Sequence, residues 1–182
     1  MTTTTGEIDP ARGAPAALRA KLALVLDTDD LVDALRLARE LMPWFGVAKV
    51  GLELFSAAGP EAVNRLVDTG YDVFVDLKMF DIPTTVEKAA RVVGSLGARY
   101  LTLHARDDAP MLRAGATGFR EGAARAGLEA PVPLAVTVLT SDQGAPPHIL
   151  PRRVRPPTTR PDRRRPARPS TAGPTSWWSA GP

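Results

Sequence analysis

Three charged side chains stand close together in one apolar stretch of this sequence, residues 73–85, VFVDLKMFDIPTT. Asp76 and Lys78 lie two positions apart in a run that otherwise predicts a buried β-strand, and Asp81 follows just beyond it. Charged residues almost never occupy such a strand unless they are paired with one another or take part in chemistry. The spacing D-x-K therefore indicates either an ion pair that satisfies itself or a functional site, and alone it does not decide between them.

The alternation of side chains along a strand predicts where these groups point. Asp76 and Lys78 share one face with Phe74, while the opposite face, at positions 73, 75 and 77, is fully apolar and is expected to pack against helices. The same alternation turns Lys49, in VAKVG, away from its apolar neighbours. An array of alternating lysines and aspartates costs desolvation on every member and stabilises a fold poorly. We therefore expect these residues to be functional.

The surrounding sequence alternates between strand and helix patterns. Strands are predicted over residues 22–27, 47–51, 72–78, 98–105 and 132–140. Helices are predicted over residues 29–42, 60–70, 86–96 and about 108–126. Asp29 or Asp30 is expected to cap the first helix, Pro60 to open the second, and a capping box of Thr84 and Glu87 to open the third.

Strands and helices joined by short connections predict parallel βα units, in an open doubly wound sheet or in a (β/α)-barrel. No glycine-rich nucleotide-binding loop follows any of the strands, which weakens the first alternative. Polar residues instead occupy the C-terminal parts of the predicted strands: Asp27, Lys49, Asp76, Lys78, His104 and Thr140. Because barrel enzymes assemble their active sites at that rim, we predict an α/β protein of the (β/α)8 TIM-barrel class.

The segment DLKMFDIPTT resembles the signature of the orotidine 5′-phosphate decarboxylase family, D-x-K-x-x-D-I-P-x-T. LVLDTDD, AKVGLELF and AVTVLTS stand where the first, second and fifth strands of that family would be, so the resemblance covers about residues 20–142. D-x-K-x-x-D alone is shared with sugar-phosphate decarboxylases and synthases of the same suprafamily, which typically use magnesium. The following DIPTT favours the orotidine enzyme. Phe80 and Thr84 depart from the residues common in the family, His and Asn.

The resemblance implies a carboxy-lyase that converts orotidine 5′-monophosphate into uridine 5′-monophosphate and CO2 in pyrimidine biosynthesis, without a metal or an organic cofactor. It implies that Lys78 is the cation and proton donor beside the carbanion-like carbon that the departing CO2 leaves behind. Asp76 would hold Lys78 and crowd the carboxylate of the substrate. Lys49 would orient Asp76 and contact the ribose.

The resemblance also implies roles for four residues around this core of the site. Asp81 and Thr85 would reach across a homodimer interface into the site of the partner. Asp27 would bind ribose hydroxyls and Thr140 the edge of the pyrimidine. The alternatives are that Asp27 is a turn residue that ends its strand and that Thr140 is a hydrogen-bonded core threonine. His104 is expected to be a packed residue of the rim.

The composition excludes several classes of protein. The chain has no cysteine, which excludes disulfides, thiolate catalysis and zinc–thiolate clusters. With only two histidines, His104 and His148, a multi-histidine metal site is excluded as well, and His148 is given no role. No apolar run is long enough to span a bilayer, and the first residues lack the apolar block of a signal peptide, so we expect a cytoplasmic protein.

The positive net charge of +3 belongs to the C-terminal residues alone. Residues 151–182 hold eight of the 23 basic residues and one of the 20 acidic ones, which leaves 15 basic and 19 acidic residues, a formal net charge of −4, before them. A nucleic-acid-binding protein is therefore not expected, and a non-catalytic protein with a basic tail that binds nucleic acid stays as an alternative.

The chain is predicted to comprise a disordered leader (1–20), a partial barrel with the catalytic motif (21–142) and a low-complexity tail (143–182). Half of residues 151–182 are Arg or Pro, a composition that prevents both helix and strand ladder. Since a complete barrel needs roughly 250 residues, we interpret the tail, from a point between 143 and 155, as an out-of-frame translation. Truncated in this way, the chain is expected to show negligible turnover.

Overall fold

Five parallel strands form one sheet, and their order across the sheet is their order along the chain. The computed structural model describes residues 13–105, 109–139 and 141. The strands are β1 (Ala23–Leu26), β2 (Val47–Val50), β3 (Asp72–Met79), β4 (Tyr100–His104) and β5 (Val132–Val136). A doubly wound sheet reverses its strand order at a switch point, whereas a barrel adds its strands in sequence. The observed order is that of a barrel, which confirms the predicted class.

Six helices accompany the strands in the described part of the chain: α1 (Ala16–Arg19), α2 (Leu31–Leu41), α3 (Leu52–Ala58), α4 (Pro60–Asp68), α5 (Pro83–Ser95) and α6 (Ala109–Arg125). The four helices predicted from periodicity correspond to α2, α4, α5 and α6. The short helices α1 and α3 were not predicted, and α1 lies in the segment assigned to the leader. Gly59, with φ of +58°, separates α3 from α4, which begins at Pro60 as expected.

Of the two predicted side-chain caps, the one at the start of α2 is confirmed and the one at the start of α5 is wrong. The side chain of Asp30 accepts hydrogen bonds from the backbone N–H groups of Val32 (2.7 Å) and Asp33 (3.2 Å) and so caps α2. The capping box of Thr84 and Glu87 is wrong, because α5 begins one residue before Thr84, at Pro83. Proline has a fixed φ and no N–H group, so it suits the first helical position and sets the start of the helix there.

The two faces of the sheet differ in burial as the alternation predicts. One face packs against the helices and forms the core, with residues that are at most 7% exposed: Leu24, Leu26, Ala48, Val50, Val73, Val75, Leu101 and Leu103. On the other face the strand register aligns Val25, Lys49, Phe74 and Tyr100, none of which is buried. The charged residues of β2 and β3 therefore lie on the face that the helices leave open.

Glycines allow α5 and α6 to pack backbone against backbone. A Cβ atom at Gly118 would collide with the carbonyl oxygen of Glu87, and one at Gly122 with the carbonyl oxygen of Arg91. From the other helix, a Cβ atom at Gly94 would collide with the carbonyl oxygen of Phe119. This close contact holds α6, which leads from β4 to β5, against the helix that leads from β3 to β4.

Several predictions concern residues outside the described ranges: the first part of the leader (1–12), Thr140, His148 and the tail (143–182) with its proposed change of reading frame. Within the described part of the chain, no helix is long and apolar enough to cross a membrane.

The helix contact predicts the effect of Gly118→Ala on stability. Alanine is the better helix former by about 1 kcal/mol, but its methyl group must force α5 and α6 apart. We expect the free energy of unfolding, measured by chemical denaturation, to fall by about 1–3 kcal/mol. The exposed neighbour Thr117 provides the matched control, since Thr117→Ala should change stability by less than about 0.5 kcal/mol. A Gly118→Ala variant as stable as the parent would contradict this packing.

Candidate active site

Four charged side chains meet near the C-terminal ends of β1, β2 and β3. The Lys78 ammonium lies 2.8 Å from Oδ1 of Asp76, and the Lys49 ammonium lies 3.6 Å from Oδ2 of the same carboxylate. Lys49 also lies 3.5 Å from Oδ1 of Asp27, the residue that follows β1. Both lysines that the sequence analysis singled out therefore face one carboxylate, each at a different oxygen.

The members of this cluster differ in their contact with solvent. The side chain of Asp76 is only 14% exposed, whereas that of Asp27 is 60% exposed. The pair formed by Asp27 and Lys49 is therefore screened by water and stabilises little. Asp76 is the shielded centre of the cluster, and its two cations offset the cost of removing a carboxylate from water.

Strand β3 bulges where it carries this cluster. Val75 pairs with Leu101 and Met79 pairs with Leu103, so the three residues from 76 to 78 oppose Thr102 alone on β4. The two extra residues are an even number, so the alternation between faces continues through the bulge. Lys78 has a φ of +47°, the only positive value of a non-glycine residue in the described ranges. Such a backbone costs about 1–3 kcal/mol and is typical of functional sites.

Thr102 is a member of the site that the sequence analysis missed. Its hydroxyl donates a hydrogen bond to Oδ1 of Asp76 (3.0 Å) and accepts one from the backbone N–H of Lys78 (2.9 Å). A hydroxyl at the centre of the apolar strand YLTLH was the available signal, of the same kind as the aspartate in β3. Threonine is, however, an ordinary strand former and attracts little notice there.

The surroundings of Asp76 set the direction of its pKa shift. Burial raises the pKa of this carboxyl, but the hydrogen bonds from Lys78 and Thr102 and the charges of Lys78 and Lys49 outweigh burial and lower it. Asp76 is therefore ionised at neutral pH. The cluster can hold one ammonium rigidly beside a carboxylate, an arrangement able to stabilise negative charge on a bound molecule and to donate a proton to it. In the described ranges, no group of three or more His, Asp or Glu residues is arranged to hold a metal ion.

Comparison with known proteins places this chain in a family. Residues 20–145 match the family model described as orotidine 5′-phosphate decarboxylase / HUMPS family. The chain belongs to this family. It is 48% identical over 121 residues to the orotidine 5′-phosphate decarboxylase of Moorella thermoacetica, covering 66% of this chain and 48% of that one. The enzyme of the same name from Lactiplantibacillus plantarum is 50% identical over 97 residues, covering 53% and 41% of the two chains.

A solved structure extends this similarity to the fold. Orotidine 5′-phosphate decarboxylase from Lactobacillus acidophilus is 36% identical, with a TM-score of 0.61, and the match covers 68% of this chain and 55% of that one. The chain thus spans about half the length of the relatives that it matches. Its five parallel strands and the helices between them correspond to part of the TIM barrel of orotidine 5′-phosphate decarboxylases.

Three further residues that the sequence analysis singled out make no hydrogen bond or ion pair with the charged cluster within the described ranges: Asp81, Thr85 and His104. Asp81 is exposed, and its Oδ1 accepts a hydrogen bond from the backbone N–H of Ile82 at 2.7 Å. Within the described ranges it forms no ion pair with either lysine. Thr85 is exposed in the first turn of α5. His104 ends β4 with its ring packed edge-on against Phe80 (5.8 Å between centroids), as expected of a rim residue.

The geometry predicts how the two lysines differ in their effect on Asp76. Lys78→Met should raise the pKa of Asp76, because it removes a hydrogen bond and the nearer positive charge while much of the burial remains. Lys49→Met should raise that pKa less, since its ammonium lies farther away and donates no hydrogen bond to Asp76. Carbon-detected NMR titration of the aspartate carboxyls measures both shifts. Lys88→Met, which removes an exposed lysine of α5, is the control and should leave the pKa of Asp76 unchanged.

The lowered pKa of Asp76 also determines how the free energy of unfolding depends on pH. The pKa of Asp76 is lower in the folded than in the unfolded state, so its contribution to stability is complete above the unfolded value of about 3.9. That contribution is lost as the pH falls through the lower, folded value. Lys78→Met should therefore flatten the acid limb of a stability–pH curve. An equal pKa of Asp76 in the parent and in Lys78→Met would contradict the ion pair.

Proposed function

We propose that the cluster of Lys49, Asp76 and Lys78 decarboxylates orotidine 5′-monophosphate to uridine 5′-monophosphate and CO2. The observation that carries the proposal is the pair of ammonium groups around one shielded carboxylate at the rim of the sheet. The proposal is supported by the names of the curated relatives, two of which are 48% and 50% identical to this chain over the matched segments.

Lys78 would perform the central step. When the bond between C6 of the pyrimidine and the carboxylate breaks, CO2 leaves and the electron pair of the bond stays on C6. An ammonium fixed beside that carbon stabilises the negative charge and then donates a proton to it, and solvent restores the lost proton. The Asp76 contact at 2.8 Å and the constrained backbone of Lys78 would hold the ammonium in place.

Asp76 would act on the substrate as well as on Lys78. Its lowered pKa keeps it charged at neutral pH, so a substrate carboxylate bound beside it would be repelled. Loss of neutral CO2 would remove this repulsion. Lys49 would fix the second oxygen of Asp76, and Asp27, which is open to solvent, would accept hydrogen bonds from ribose hydroxyls. Thr140 would contact the pyrimidine edge.

A chimera tests this function directly. Residues 20–142 of this chain would replace the matching segment of the Moorella thermoacetica enzyme, which supplies the rest of the barrel. We expect the chimera to release CO2 from orotidine 5′-monophosphate, and Lys78→Ala to lower kcat by at least about a thousandfold, because one residue supplies both the cation and the proton. Lys88→Ala is the matched control and should retain the activity. A folded chimera without turnover would overturn the proposal.

The activity assay of the chimera also distinguishes decarboxylation of orotidine 5′-monophosphate from the activities of related sugar-phosphate enzymes. The family model includes members beyond the orotidine enzyme, and D-x-K-x-x-D is shared with sugar-phosphate decarboxylases and synthases that typically use magnesium. Turnover of orotidine 5′-monophosphate by the chimera should persist in excess EDTA. Turnover of a sugar phosphate only, dependent on added magnesium, would assign the site to that second class.

The loop after β3 would form a homodimer interface, through which Asp81 and Thr85 enter the site of the partner. Two large apolar side chains flank Asp81 and are unusually exposed, Phe80 at 56% and Ile82 at 64%. Exposed apolar groups next to a site are typical of an interface that covers them.

We expect Ile82→Asp to weaken self-association at least about tenfold, because a charge would be buried in the interface. Sedimentation equilibrium of the purified chain measures this. Val92→Asp is the control, since Val92 is nearly as exposed as Ile82, at 56% against 64%, but lies farther along α5. Self-association that responds alike to both substitutions would contradict an interface at this loop.

A further inference from the structure

Thr102 holds a position that no other residue of the sheet shares. It is the single residue of β4 opposite the three bulged residues of β3, from 76 to 78. At 4% exposure it is also one of two buried residues with a side-chain hydroxyl among those that the structure describes, the other being Tyr71, which lies outside the sheet. Its neighbours in the strand, Leu101 and Leu103, belong to the apolar core. A buried hydroxyl in such a place is stable only if its hydrogen bonds are made.

The hydroxyl of Thr102 closes a ring of hydrogen bonds. It accepts from the backbone N–H of Lys78 and donates to Oδ1 of Asp76. The same Oδ1 accepts a hydrogen bond from the ammonium of Lys78 at 2.8 Å. Backbone and side chain of Lys78 are thus tied to Asp76 through one threonine.

We propose that Thr102 is a positioning residue, which sets the backbone conformation of Lys78 and the orientation of the Asp76 carboxylate. Its relevance to catalysis rests on the proposed decarboxylation, whereas the positioning itself does not. The bulge removes the N–H of Lys78 from the regular ladder, and an unpaired buried N–H group is unfavourable. The hydroxyl replaces that lost partner and so stabilises the left-handed backbone of Lys78. Without it, the lysine relaxes and its ammonium moves relative to the carboxylate.

Two substitutions separate the hydroxyl of Thr102 from its shape. Valine has nearly the same shape but neither donor nor acceptor, while serine retains both. In Thr102→Val we expect amide hydrogen exchange at Lys78 to accelerate about five- to tenfold relative to the parent, corrected for global stability by chemical denaturation. Thr102→Ser should restore the parent rate.

The pKa of Asp76, measured by carboxyl NMR titration, provides the second readout. The charged or titratable groups that approach Asp76 are Lys78 on β3 and Lys49 on β2, with Asp27 behind Lys49. None of them changes in the variants. Thr102→Val should raise this pKa, because it removes one of the hydrogen bonds that lower it, and Thr102→Ser should leave it low. A purely structural threonine would change stability without shifting the pKa.

Each outcome decides the role of Thr102. The proposal is overturned if Thr102→Val leaves both the exchange at Lys78 and the pKa of Asp76 at parent values, or if the serine and valine variants behave alike. Should the valine variant not fold, Thr102→Ala removes the same hydroxyl and is judged by the same two readouts. Both readouts work without substrate, so a chimera that fails to decarboxylate orotidine 5′-monophosphate would leave this test unaffected.

Discussion

The site depends on keeping one shielded carboxylate charged. A carboxylate removed from water is unfavourable by several kcal/mol unless cations and hydrogen-bond donors replace its hydration. Asp76 receives these from three neighbouring strands: Lys49 from β2, Lys78 from its own strand β3, and Thr102 from β4. Because β2, β3 and β4 are parallel neighbours, those three segments lie side by side at the same end of the sheet. The order of the strands is therefore a condition for the chemistry.

One face of the sheet stabilises the fold, and the other face carries the candidate site. The helices between the strands return the chain to the start of the next strand, and they cover one apolar face, where burial stabilises the fold. The other face carries the charged cluster and contributes little to that core. The backbone contact between α5 and α6, made by glycines at positions 94, 118 and 122, holds together the helices that connect β3 to β4 and β4 to β5. A rigid scaffold of this kind can hold the unfavourable φ of Lys78, which an isolated strand would relax.

Much of this arrangement could be predicted from the sequence, because strand alternation and helix periodicity are local signals. The faces of β2 and β3, the cap at Asp30 and the start of α4 at Pro60 all followed from such signals. The capping box at Thr84 failed because Pro83, one residue earlier, fixes the backbone and determines the helix start. The role of Thr102 could not be predicted, because the bulge arises from the pairing of β3 with a strand more than 20 residues away. No local pattern in YLTLH indicates that register shift.

The bulge in β3 lies at the motif D-x-K and adds a backbone constraint to its two charges. In a regular strand, residues two positions apart point the same way but are separated by about 6.6 Å along the strand. The long side chain of lysine spans that distance, and the Lys78 ammonium lies 2.8 Å from the Asp76 carboxylate, beside a backbone turned to a φ of +47° at Lys78. The residues between and after them, Leu77 and Met79, pack against the apolar core on the other face. The motif thus specifies a backbone shape as well as two charges. The apolar side chains hold the bulge against the core on one face of the sheet, and the ion pair forms on the opposite face.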